Sequence, residues 1–126
     1  MSPVARYLGT LPTALLSDEA IRPTEYTRWA HAHTRFARRE RDAAILQELL
    51  ETIPARGLDV PIVLGISDRT GDVYVADGHH RAVALRTLRA PRFPFHWYWI
   101  RNYGVRIEER PFPYYLLDQH TARADA

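Results

Sequence analysis

The strongest pattern along the chain is a broad apolar stripe formed by Ala43, Ile45, Leu46, Leu49, Leu50 and Ile53, with Asp42, Gln47, Glu48 and Glu51 set among them. That spacing predicts an amphipathic helix. Pro54 is expected to end or kink it, and Gly57 stands where a chain leaving a helix often needs a left-handed residue. Next comes a mostly apolar run at 61–67, then a turn at 68–71 and a second run at 72–76 with Val73 and Val75 on one face. Two such runs around a glycine-bearing turn predict a β-hairpin. Ala82, Val83, Ala84, Leu85 and Leu88 predict a short helix over 81–88, entered through Asp77 and Gly78 and closed by Pro91. The aromatic-rich run 93–100 suits a strand, and 105–108 is a last strand candidate.

The flanks are less periodic. Up to about Ser17 the chain is apolar but broken by Pro3, Gly9 and Pro12, with room for a short strand around 6–8. Pro23, Thr24 and Glu25 predict a helix start, placing Tyr26, Trp29, Ala30, His33 and Ala37 on one face; a turn followed by a loop fits nearly as well. Phe112, Tyr114 and Tyr115 belong to an expected ordered extension that covers a sheet edge or makes a dimer contact, and 121–126 to a frayed end. Together these elements predict one small α/β (α+β) domain over 1–126, a mixed sheet with helices packed on it, its core at about 15–110 and a C-terminal extension at 111–126.

Composition narrows the chemistry. The chain has 126 residues, 46% hydrophobic and 25% charged, and these values suit a globular domain. It has no cysteine, so disulfides, thiolate metal sites and cysteine nucleophiles are excluded. All 17 basic residues are arginine, which leaves phosphate binding to arginine, histidine and backbone amides and excludes Schiff-base chemistry. The net charge of +2 does not itself argue for nucleic acid. No apolar run approaches the roughly 20 residues of a membrane helix, and the first residues lack the pattern of a secretion signal, so the expected compartment is the cytoplasm.

Chemistry concentrates where the second hairpin strand runs through Asp77 and Gly78 into His79, His80 and Arg81. A strand entering a helix through one glycine offers unpaired backbone amides at the positive end of the helix dipole, and these suit an anion. Gly78 lets a phosphate approach the backbone. Arg81 can add a charge-assisted contact, while His79 and His80 can donate hydrogen bonds or move protons. Asp77 can orient an imidazole or bind a magnesium ion that accompanies a nucleotide. A helix cap with a surface ion pair is the plainer alternative. A zinc site from His79, His80 and Asp77 is less attractive, because adjacent histidines seldom converge on one tetrahedral ion.

Three blocks in order, Ile21-Arg22-Pro23, then 53–64 and 74–84, resemble the ParB/sulfiredoxin superfamily, the likeness spanning about residues 15 to 100. In sulfiredoxins the last block reads G-C-H-R and its cysteine is the attacking group. Here His79 stands at that place, so the resemblance does not extend to sulfiredoxin activity. In chromosome-partitioning ParB proteins the block reads G-E-R-R and binds CTP, with a DNA-reading domain following. ParB-like free-serine kinases are similar in a D-G-H-H-R-type motif, and there an early glutamate acts as base; by position Glu25 takes that role.

The resemblance thus implies an ATP-dependent phosphotransferase on a small hydroxylated compound. Gly78, His79, His80 and Arg81 would hold the nucleotide phosphates, with Glu25, Asp77 and His79 as catalytic residues and magnesium as the accompanying ion. The alternative is a ParB-like accessory module that is CTP-binding or DNA-associated, of the kind labelled a ParB-like nuclease, without small-molecule turnover. A degenerate fold kept as an interaction surface is a third. The arginines at 35, 38, 39 and 41 form a cluster open to nucleic acid or a nucleotide tail but read first as a solvated helix face. His31 and His33 read as surface or partly buried groups, and Trp97 and Trp99 as core rather than base-stacking platforms.

Overall fold

The computed structural model describes residues 9–100 and 107–117. Its centre is a five-stranded mixed sheet of β1 (Gly9–Pro12), β2 (Ile21–Pro23), β3 (Ile62–Ser67), β4 (Val73–Asp77) and β5 (Arg92–Ile100), in the order β1-β5-β3-β4-β2. β3 and β4 form the antiparallel hairpin; β5 lies parallel to β3, β2 parallel to β4, and β1 antiparallel to β5. Among the described residues the sheet is joined by three α-helices, α1 (Trp29–Arg38), α2 (Glu40–Arg56) and α3 (His79–Leu88), by a short 3-10 helix at Thr13–Leu15 and by a helical turn at 115–117, an α+β architecture.

Alternation along the strands sends Ile62, Leu64, Ile66, Val73, Val75, Phe93, Phe95 and Trp97 into one core with Ile21, Trp29, Phe36, Val83 and Leu85. Opposed residues in register share a sheet face, and Leu64 lies between Val75 and Trp97. Tyr98 and Tyr74, one residue out of phase with that set, are only half-buried. Phe112 is buried edge-to-face against Phe95 and Trp97, so the tail closes the core at β5. Tyr114 and Tyr115 remain exposed.

Several expectations are corrected. The helix expected from Pro23 begins instead at Trp29, because Pro23 ends β2 and Thr24 is pinned to β4 by its hydroxyl, which donates to the Val75 carbonyl. The Asp18 carboxylate accepts from the Trp29 amide at 2.7 Å and satisfies one donor of the new helix start. The buried positions are accordingly Trp29, Ala32 and Phe36, whereas Ala30 and Ala37 face solvent. In α2, Pro54 does not end the helix: it lies in the last turn, where its missing N–H costs one bond, and the helix runs on to Arg56. Gly57 then takes φ +77, and its amide donates to the Ile53 carbonyl at 2.8 Å.

α3 starts two residues before the expected 81, which puts both histidines in its first turn. The strand expected around 6–8 lies outside the described residues, and β1 is found at Gly9–Pro12, where an edge position tolerates the proline. Of the strand candidate 105–108, residues 105 and 106 lie outside the described residues. Glu108 is in no strand, although its amide donates to the Trp97 carbonyl at 2.7 Å. The segment 121–126 also lies outside the described residues. Among the described residues no helix is long and apolar enough to cross a membrane.

Candidate functional site

The β4–α3 junction turns through Gly78, with φ 103 and ψ 32, a left-handed conformation that side chains disfavour. Among the described residues no side chain caps the helix that follows. Arg81 folds back over this glycine: a Cβ on Gly78 would lie 3.0–3.2 Å from three atoms of the guanidinium group. Its Nη1 donates to the carbonyls of Val60 and Pro61 at 3.3 and 3.4 Å, and its Nη2 lies 3.5 Å from Asp77 Oδ2. All three contacts are long. The Asp77 side chain is 76% exposed, so this ion pair is worth little and an incoming phosphate can replace the carboxylate at small cost.

The two histidines diverge. His79 is buried, and its Nε2 accepts from the Thr24 amide at 3.0 Å, which leaves the proton of the neutral ring on Nδ1. Burial pushes its pKa below the ordinary imidazole value, against the opposing pull of Glu25 and Asp77; His80 adds a small push downward. With Thr24 also bonded to Val75, this imidazole ties the loop bearing Glu25 to the helix start. His80 instead lies flat on Phe36, with ring centroids 4.2 Å apart and planes 7° apart, and its Nε2 is 2.9 Å from Asp42 Oδ1. Among the described residues, Nδ1 of each ring has no hydrogen-bond partner and is left for a ligand.

A cleft of about 550 Å³ opens over this junction, within the range of roughly 300–1,000 Å³ usual for small-ligand sites. Glu25, Asp77, Gly78, His79, His80 and Arg81 all line it, so the residues expected to bind phosphate or to act in catalysis share one cleft. Tyr26, Arg35, Phe36, Arg39, Asp42, Ile45 and Leu49 join them. Sequence reasoning assigned none of these seven firmly to the site. Ile45 and Leu49 read as core positions, yet no residue of α2 is fully buried and Ile45 is 37% exposed at the cleft. A usable signal was the width of the α2 stripe, broader than one packing face requires.

Among the described residues no group of three or more histidine, aspartate or glutamate side chains could hold a metal ion. His79 faces Thr24 and His80 faces Asp42, so the two rings do not converge. Asp77, exposed and loosely paired, fits a magnesium ion that arrives with phosphate oxygens as its other ligands. His33, away from the cleft, accepts from Arg86 at 3.0 Å, and burial followed by the Arg86 charge lowers its pKa.

The chain is similar in structure to sulfiredoxin from Arabidopsis thaliana, with a TM-score of 0.52 and 23% identity over 75% of this chain and 86% of that one. The fold is therefore sulfiredoxin-like. No protein-family model and no curated protein matches the chain.

Proposed function

We propose that this sulfiredoxin-like domain is a nucleotide-dependent phosphotransferase acting on a small hydroxylated compound. The observation that carries the reading is the convergence of Glu25 with the 77–81 turn: a carboxylate far away in sequence lines the same cleft as the start of α3, to which the Thr24–His79 hydrogen bond ties its loop. Phosphoryl transfer needs positioning and charge neutralisation more than covalent help. The first-turn amides of α3 and Arg81 would bind the transferred phosphate, His80 would line its approach, and Glu25 would take the proton of the attacking hydroxyl. His79, neutral and clamped at Nε2, would hold Glu25 in place and keep Nδ1–H as a donor. Magnesium, held by Asp77 and the nucleotide, would neutralise phosphate charge.

The test is Arg81→Ala. Removing a charge-assisted contact should weaken ATP binding on the order of 10- to 100-fold, with the circular dichroism spectrum unchanged. Equal ATP and CTP affinity in variant and wild type would refute the assignment. The engagement of both imidazoles by protein groups favours a second reading, nucleotide binding without turnover as in a CTP-binding or DNA-associated accessory module. ADP release that depends on an added amino acid or sugar supports the enzyme. Steeply salt-dependent DNA binding without such release supports the module.

A further inference from the structure

Two guanidinium groups of the cleft take no part in the site described so far. Arg35, in the last turn of α1, and Arg39, at the α1–α2 corner, line it beside Phe36 and Asp42. Among the described residues neither side chain has an ion-pair partner. Of the three carboxylates that line the cleft, Asp42 pairs with His80 at 2.9 Å and Asp77 loosely with Arg81 at 3.5 Å, and Glu25, the acceptor of the hydroxyl proton in the proposed reaction, is paired with neither arginine. Two like charges that line one cleft repel each other unless something neutralises them. A cation at the C-terminal end of α1 also suits the helix dipole, but Arg38, in the same turn, serves that purpose without lining the cleft.

We infer that Arg35 and Arg39 form a second anion subsite, and that the cleft takes a linear polyphosphate chain, such as the di- or triphosphate of a nucleotide, rather than a lone phosphate. The inference rests on the phosphate reading of the 78–81 turn. One end of the chain meets the α3 amides and Arg81, and the other meets the guanidinium pair at the α1–α2 corner. A triphosphate carries several negative charges and Arg81 a single positive one, and two of its donor contacts already go to the Val60 and Pro61 carbonyls. With no lysine in the chain, further guanidinium groups supply what the α3 amides and a nucleotide-borne magnesium ion leave uncompensated. A monophosphate on the turn would leave the corner charges uncompensated.

Calorimetric titration of the full chain with inorganic phosphate, pyrophosphate and tripolyphosphate, at one ionic strength, tests this. Affinity should rise with chain length, tripolyphosphate binding about tenfold or more tightly than phosphate. Arg35→Gln/Arg39→Gln should erase that rise while leaving phosphate affinity and the melting temperature unchanged, since both side chains are exposed. Arg38→Gln should keep the rise. The inference is overturned if Arg38→Gln causes the same loss, which would make net charge the cause, or if the double variant keeps its chain-length preference. Phosphate binding with no chain-length preference in the wild type overturns this inference alone; failure of all three anions to bind removes the phosphate site itself.

Discussion

Replacing Gly78 with alanine probes the conformation of the turn and the position of Arg81 together. At φ 103 and ψ 32, an L-residue pays about 1–2 kcal/mol in backbone sterics. The new Cβ would also stand 3.0–3.2 Å from the Arg81 guanidinium, which is the far end of a flexible side chain and must move. Moving it forfeits the long contacts to Val60, Pro61 and Asp77, together worth about 1 kcal/mol at these distances. Loss of glycine's freedom in the unfolded chain returns roughly 0.4–1 kcal/mol. The net destabilisation is about 1–2.6 kcal/mol, or on the order of 4–10 °C in melting temperature for a domain of this size. Gly57→Ala is the control, because Gly57 has φ +77 and ψ −174 but nothing within 4 Å of an added Cβ. It should cost about 1–3 kcal/mol through the backbone alone. Urea denaturation measures both variants, and titration with ATP reads the consequence: only Gly78→Ala should weaken binding, because only there is Arg81 displaced. Wild-type stability and ATP affinity in Gly78→Ala would refute the account of the turn, and equal loss of affinity in Gly57→Ala would show that the effect is global.

Phe36→Ala should destabilise the fold by about 3–5 kcal/mol in urea denaturation, because a buried ring that meets Tyr26 edge-on and carries His80 on its face is removed; a loss under about 1 kcal/mol would mean the ring is not packed as described. Stability should also fall with acidity. The pKa values of His79 and His33 are lowered on folding, so the unfolded chain binds protons first. Their contribution is complete above the unfolded value of about 6.5 and is lost as pH drops from there toward the folded values. Melting temperatures recorded between pH 7.5 and 5.5 should decline over that window, and a flat profile would contradict the buried, neutral state of these rings.

How far the site was legible depends on sequence separation. Gly78 and Arg81 announce themselves because a strand, one glycine and a helix stand next to each other, and local sterics dictate what such a junction exposes. Glu25 was reached only through the resemblance, and the helix expected around it did not form: Thr24 gives its hydroxyl to Val75 and its amide to His79, so the segment follows β4 instead of coiling. Asp42 read as one polar position among several on a helix, with nothing to mark it as the partner of His80. Arg35 and Arg39 read as solvated for the same reason.

By itself, the amino-acid pattern determined the long amphipathic helix, the hairpin and the glycine-entered helix, since periodicity and turn chemistry act within a few residues. It also set the chemical limits, arginine without lysine and no thiol. Only the tertiary structure decided what each face meets: that Ile45 and Leu49 border a cleft instead of a core, that β2 aligns with β4, and that adjacent histidines turn to different partners. Periodicity states which side chains share a side of an element, whereas the occupant of the space opposite is set by packing between segments distant in the chain.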